Sequence, residues 1–217
     1  MAENKTTEQA TLDDIESHVP EQLHPILEAA FKHQKQIIVG VVAIIAVAAI
    51  YAGMTSYNKK AMASAQAELG AILIKDSGSD KIAKLEALLG NAPSGAKPAV
   101  LLELAQASMT NNEFEKAAGY WNQLSGEADA DLKVVARLGK AKSLTLAGKP
   151  GEAVTILKDL AGTVATAFTI PVNRQLAVAA EAAGDTGTAL TAYKKLADSQ
   201  IPDKPFIDYK VAQLEAK

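Results

Sequence analysis

Three segments of the chain repeat one small-to-large pattern at a fixed interval of 36 residues, and this repetition restricts the possible folds more than any other feature. Ala117, Ala153 and Ala189 keep that interval, as do Leu124, Leu160 and Leu196. Ala105, Ala141 and Ala177 keep it too, each twelve residues before its partner alanine. Asn112, Gly148 and Gly184 fall between the two alanines, and Trp121, Leu157 and Tyr193 follow the second one by four positions. Two antiparallel helices can cross closely only where both present small side chains. A Gly or Asn suits the left-handed residue that ends a helix before a tight turn. The bulky residue one turn later fills the space against the next hairpin. A single hairpin cannot bury its apolar face, whereas stacked hairpins can. Composition agrees: apolar residues make up 48% of the chain and aromatics only 5%, which favours closely packed helices over β-sandwiches. The expected fold class is all-α.

This pattern resembles the tetratricopeptide repeat (TPR), with an interval of 36 in place of the usual 34 and the extra residues assigned to loops. Pro202 falls near the proline that often closes such a repeat, and 205–216 would form a terminal capping helix. Residues 59–75 and 81–90 read as a degenerate first hairpin broken at Gly78. Two departures stand out. Pro150 and Thr186 replace the aromatic that Phe114 supplies in the first copy, and the early tryptophan of the repeat is absent. In the resembling family the first helices of the hairpins line a groove that holds partners. Carried over position by position, the groove consists of Leu102, Gln106 and Met109, then Leu138, Lys142 and Thr145, then Arg174, Val178 and Glu181.

From Ile37 to Met54 no residue is charged: IIVGVVAIIAVAAIYAGM. As a helix this run is about 27 Å long, and about 31 Å with extension to Tyr57, against a hydrocarbon core of roughly 30 Å. Lys32 and Lys35 flank one end, Lys59 and Lys60 the other, and Tyr51 and Tyr57 sit where interfacial aromatics are expected. A buried core helix rarely stays apolar on every face for so long. The run also begins too late and is too long for a cleaved signal peptide. The expectation is a transmembrane helix over 37–57, an N-terminal acidic tail over 1–36 and a TPR-like helical-repeat domain over 58–217. Lysines flank both ends, so the positive-inside rule does not decide orientation; a short inner tail with a long exported domain is the commoner arrangement. Ala48 with Ala52, and Ala49 with Gly53, form small-xxx-small pairs through which the span could self-associate as a homo-oligomer.

The tail carries three lysines and seven acids, a net charge of −4, leaving the remainder of the chain at +1. A near-neutral domain offers no clustered basic face, so nucleic acid is not an expected partner. Leu23, Ile26, Leu27, Ala30 and Phe31 recur at helical spacing and predict a short amphipathic helix in the tail. His18, His24 and His33 are spaced by six and nine, unlike metal ligands on one helix, and read as solvated.

Nothing in the sequence points to catalysis. The chain has no Cys, and His is absent from residue 58 onward. The stretch GNAPSGAKP (90–98) imitates a phosphate loop, but Lys97 is one place late and Pro98 stands where magnesium needs Ser or Thr. Glu113 with Glu115, and Asp129 with Asp131, read as solvated charges at helix starts. No cofactor, metal or enzymatic activity is expected.

The layout as a whole is similar to a family of bacterial inner-membrane proteins, ancillary subunits of the SecYEG translocon. The segments LLELAQASMTNNEFEKAA (101–118) and DLKVVARLGKAKSLTLAGKPGEAVTILKDL (131–160), with the position of the anchor, carry that resemblance over roughly 37–200. It implies a cytoplasmic N-terminus, one span and a periplasmic domain that binds Sec translocon subunits and a periplasmic chaperone. The tail is longer and more acidic than the resemblance leads one to expect. The alternative of another class is a scaffold for a different envelope complex, such as cell division or polymer export.

Overall fold

The computed structural model of the protein describes residues 33–216. The amphipathic helix expected in the tail, with His18 and His24, lies outside them. The described residues form nine helices and no strand: α1 (Gln34–Lys75), α2 (Gly78–Asn91), α3 (Lys97–Thr110), α4 (Phe114–Glu127), α5 (Ala130–Leu146), α6 (Pro150–Thr163), α7 (Thr166–Ala182), α8 (Thr186–Ala197) and α9 (Lys204–Glu215). The all-α expectation holds. The chain divides into two compact units between Asn58 and Lys59.

In the first unit, α1 exposes large apolar side chains, among them Val39, Ile44, Val47, Ile50 and Tyr51. Bare aliphatic side chains along a whole helix are unfavourable in water, at about 25 cal/mol per Å² of apolar surface, and suit a hydrocarbon surrounding. This is the one helix among the described residues that is long and apolar enough to cross a membrane. The span is expected to end at Tyr57, a limit set by membrane thickness and not by the helix. The helix has no boundary there and continues to Lys75, because 58–75 is alanine-rich and holds no proline.

The second unit is a series of helical hairpins, each helix packed on the next from α2 to α9, with α5 also touching α7. The interval of 36 is visible in the element bounds. First helices end at Thr110, Leu146 and Ala182, and second helices begin at Phe114, Pro150 and Thr186. All six repeat alanines and the leucines Leu124, Leu160 and Leu196 are buried, so close helix crossings are what the alanines serve. At each turn the chain enters the left-handed region: Asn112 at φ 60°, Gly148 at 76° and Gly184 at 74°. The backbone closes the helix end the same way three times. The Glu113, Lys149 and Asp185 amides donate to the carbonyls of Ser108, Leu144 and Ala180 at 2.8–2.9 Å. A Cβ strains this conformation. Gly148→Ala and Gly184→Ala are therefore each expected to lower the unfolding free energy by about 1–2 kcal/mol, whereas Asn112→Gly should shift it by only a few tenths. Urea titrations followed by circular dichroism would show this, and a neutral Gly148→Ala would contradict it.

The acids read as solvated charges at helix starts divide into two kinds. Glu115 lies in the first turn of α4 and Asp131 in that of α5. Asp129 goes further and caps α5, accepting from the Leu132 amide at 3.0 Å. Asp185 caps α8 in the same way, accepting from the amide and hydroxyl of Thr188 at 3.0 and 2.6 Å. These bonds, with help from Lys158, bring the Asp185 carboxyl down to about 2. Pro150 stands in the first turn of α6, where a missing amide hydrogen costs nothing.

The buried side chains form three clusters. One joins Ala65 and Ile72 with Leu85, Leu88, Val100 and Leu104. A second gathers Leu101, Ala105, Ala117, Trp121, Leu124 and Ala136. The third and largest runs from Ala118 through Leu138, Leu157, Leu176 and Tyr193 to Leu214, and contains both buried residues of α9. Residues 59–75 thus contribute to the domain core as the expected first hairpin requires, with the break at Asp76 and Ser77 and Gly78 opening α2 at φ 57°.

Candidate functional site

Helices α5 and α7 are the first helices of consecutive hairpins, and their C-terminal halves enclose a cleft of about 310 Å³. Lys142, Thr145 and Leu146 line it from α5, and Arg174, Gln175 and Val178 from α7. Positions four apart on a helix share a face, which brings Lys142 beside Leu146 and Arg174 beside Val178. Leu146 and Val178 remain 50% and 52% exposed although a domain of this size can bury more, so the cleft presents apolar surface to its surroundings.

Four of the nine groove residues singled out in the sequence meet in this cleft: Lys142, Thr145, Arg174 and Val178. The other five do not. Leu138 is part of the core, held among the third cluster because its position on α5 faces α6 and α7 rather than solvent. Leu102 packs against the second cluster. Met109 is half-buried and its Sδ accepts the Ser143 hydroxyl at 3.0 Å, linking α3 to α5. Gln106 is exposed but opens on a separate cleft of about 270 Å³ beside Asp76, Lys81, Glu103 and Asn111. Glu181 accepts from the Tyr193 hydroxyl at 2.6 Å and from Lys210 at 2.8 Å, a tie between α7, α8 and α9. Burial and this carboxylate hold the Tyr193 phenol well above its ordinary pKa.

The two cations of the cleft differ in kind. Arg174 gives both guanidinium arms to Asp203, at 2.5 and 2.9 Å, a fork that fixes the chain just before α9. The pairing lowers the Asp203 pKa and raises that of Arg174, with the hydrogen bonds between them the leading cause of both. Lys142 is exposed and makes no ion pair among the described residues. Sequence reading missed Leu146 and Gln175. Leu146 could have been found, since it lies one turn beyond Lys142 and its repeat equivalents, Thr110 and Ala182, are small. Gln175 carries no such mark.

A third cleft, about 370 Å³, lies between α6, α7 and α8, with Lys158, Asn173, Thr188 and Lys195 in its walls. Lys158 is engaged with Asp185 at 3.1 Å, and the Asn173 side-chain amide donates to the Thr169 carbonyl at 2.8 Å. Ala161, Leu176 and Ala192 complete its walls, but Leu176 is buried and the cleft offers no exposed large apolar side chain. Comparison of the chain with family models, with curated proteins and with solved structures finds no match.

Proposed function

We propose that the protein is a non-enzymatic, single-pass inner-membrane protein whose helical-hairpin domain, TPR-like in its repeat, binds protein partners on the periplasmic side. Within that reading it is an accessory subunit of the Sec translocon that links the channel to periplasmic chaperones. The observation that carries the binding role is the cleft between α5 and α7. It has two exposed aliphatic side chains and an uncommitted cation, and in the resembling repeat the corresponding first helices hold extended segments. The membrane-length helix α1 and the resemblance of 101–118 and 131–160 support the placement and the partners.

Purification of the tagged protein from membranes in mild detergent, with mass spectrometry of what accompanies it, tests the assignment. Translocon subunits recovered with a periplasmic chaperone are the expected result. Their replacement by a cell-division or polymer-export complex would move the protein to the scaffold reading. Proteinase added to spheroplasts should digest the domain, and resistance until lysis would overturn the periplasmic placement.

A further inference from the structure

Given that the cleft between α5 and α7 receives a protein segment, we infer that the segment is extended and carries an acidic side chain two residues from an aliphatic one. The aliphatic side chain lies against Leu146 and Val178, and the carboxylate reaches Lys142. The charges around the cleft lead to this pairing. Arg174 is neutralised through both arms by Asp203 and stays in that fork, which a carboxylate from outside would have to break at both bonds. Glu181, one turn beyond Val178, is taken by Tyr193 and Lys210. The remaining lining residues, Thr145 and Gln175, are neutral. The ammonium of Lys142 is therefore the one cleft charge without a counter-charge among the described residues, and it stands one helical turn from Leu146.

Spacing sets the register. In an extended segment, side chains two residues apart point the same way and are separated by about 6.6 Å. That matches the one-turn offset of about 5–6 Å between neighbouring positions on a helix face. A basic residue in the same place would meet Lys142 with no carboxylate free to offset it.

The test uses the full-length protein in zwitterionic detergent and three fluorescein-labelled peptides with one leucine and, two residues away, Glu, Gln or Lys. Fluorescence anisotropy at low ionic strength should rank them Glu, Gln, Lys, with about fivefold between first and last, the scale of one part-exposed ion pair. Lys142→Glu should reverse that order with an unchanged circular dichroism spectrum, since the side chain is exposed and unpaired. Val178→Asp should weaken all three peptides. An unreversed order in Lys142→Glu, or three peptides binding equally while Val178→Asp still weakens them, overturns the acidic assignment and leaves the cleft a protein site. Failure of all three to bind overturns the cleft as a protein site, and the acidic assignment with it.

Discussion

Gly139→Ala is expected to destabilise the domain by about 1–2 kcal/mol in the native background and to stabilise it by up to about 1 kcal/mol when Trp121 is replaced by Leu. Gly139 lies inside α5, where glycine ordinarily costs about 1 kcal/mol relative to alanine. The structure shows what offsets that cost. A Cβ built at Gly139 would lie 2.4 Å from two ring carbons of Trp121, so the indole of α4 rests directly on the backbone of α5. The ring is 7% exposed, and its Nε1 is buried with no acceptor among the described residues, so shape and not hydrogen bonding fixes its position. Adding a methyl group there forces the ring outward, at the usual overpacking cost of about 1–3 kcal/mol, which exceeds the helix-propensity gain. A leucine at 121 leaves the space free, and the propensity gain then stands alone. Urea denaturation followed by circular dichroism on the four proteins of this cycle gives the coupling, expected at about 2–3 kcal/mol. The same sign for Gly139→Ala in both backgrounds would show that the ring is not held by the missing Cβ.

The Trp121–Gly139 pair also shows where sequence reading reaches and where it stops. The interval of 36 exposed the hairpins, their buried alanines and the left-handed residues at 112, 148 and 184, because each of these follows from local backbone and size rules that repeat. A large residue at 121, 157 and 193 was readable in the same way. That the largest of them needs a glycine eighteen residues later was not, since it depends on how near α4 and α5 approach. Pro171 lies inside α7, although its ring removes a helical hydrogen bond, and Phe168, three residues earlier, packs against the third cluster. The end of the span at Tyr57 marks a change in composition that the backbone of α1 does not follow.

The cleft was legible in part, and the limit is again tertiary. A helix face can be read from spacing, and Lys142, Thr145, Arg174 and Val178, placed on one face that way, do line one cleft. Whether a face is solvent, core or interface depends on the neighbouring helix. Leu138 points into the third cluster, and Glu181 is bound by Lys210, 29 residues away in the chain. Arg174, read as a cation for a partner, lines the cleft with both arms already given to Asp203. Charge patterns in sequence do not reveal which charges are already paired.

Leu157→Ala should separate the unfolding of the domain into two steps. Leu157 is fully buried at the centre of the third cluster, between Ala153, Leu160 and the residues of α7 and α8. Truncation of such a leucine costs about 2–5 kcal/mol, depending on how far its surroundings collapse. In a stack where each hairpin touches only its neighbours, that loss falls on one interface instead of spreading evenly. Ala118 of α4 and three residues of α5 edge the third cluster, but most of its buried residues lie on α6 to α9, so its weakening loosens those four helices together. The second cluster, which holds the single tryptophan of the chain, shares no fully buried residue with it. Fluorescence of Trp121 therefore reports on α3 to α5, while circular dichroism reports on all helices, the detergent-held span adding a constant. In the native protein the two signals are expected to lose structure over the same range of urea. In Leu157→Ala the dichroism should fall first, by the helical content of about four of the eight helices that follow the span, with the tryptophan signal unfolding at higher urea. If both signals move together to lower urea, the three clusters unfold as one unit, and the separation seen in their packing has no energetic counterpart.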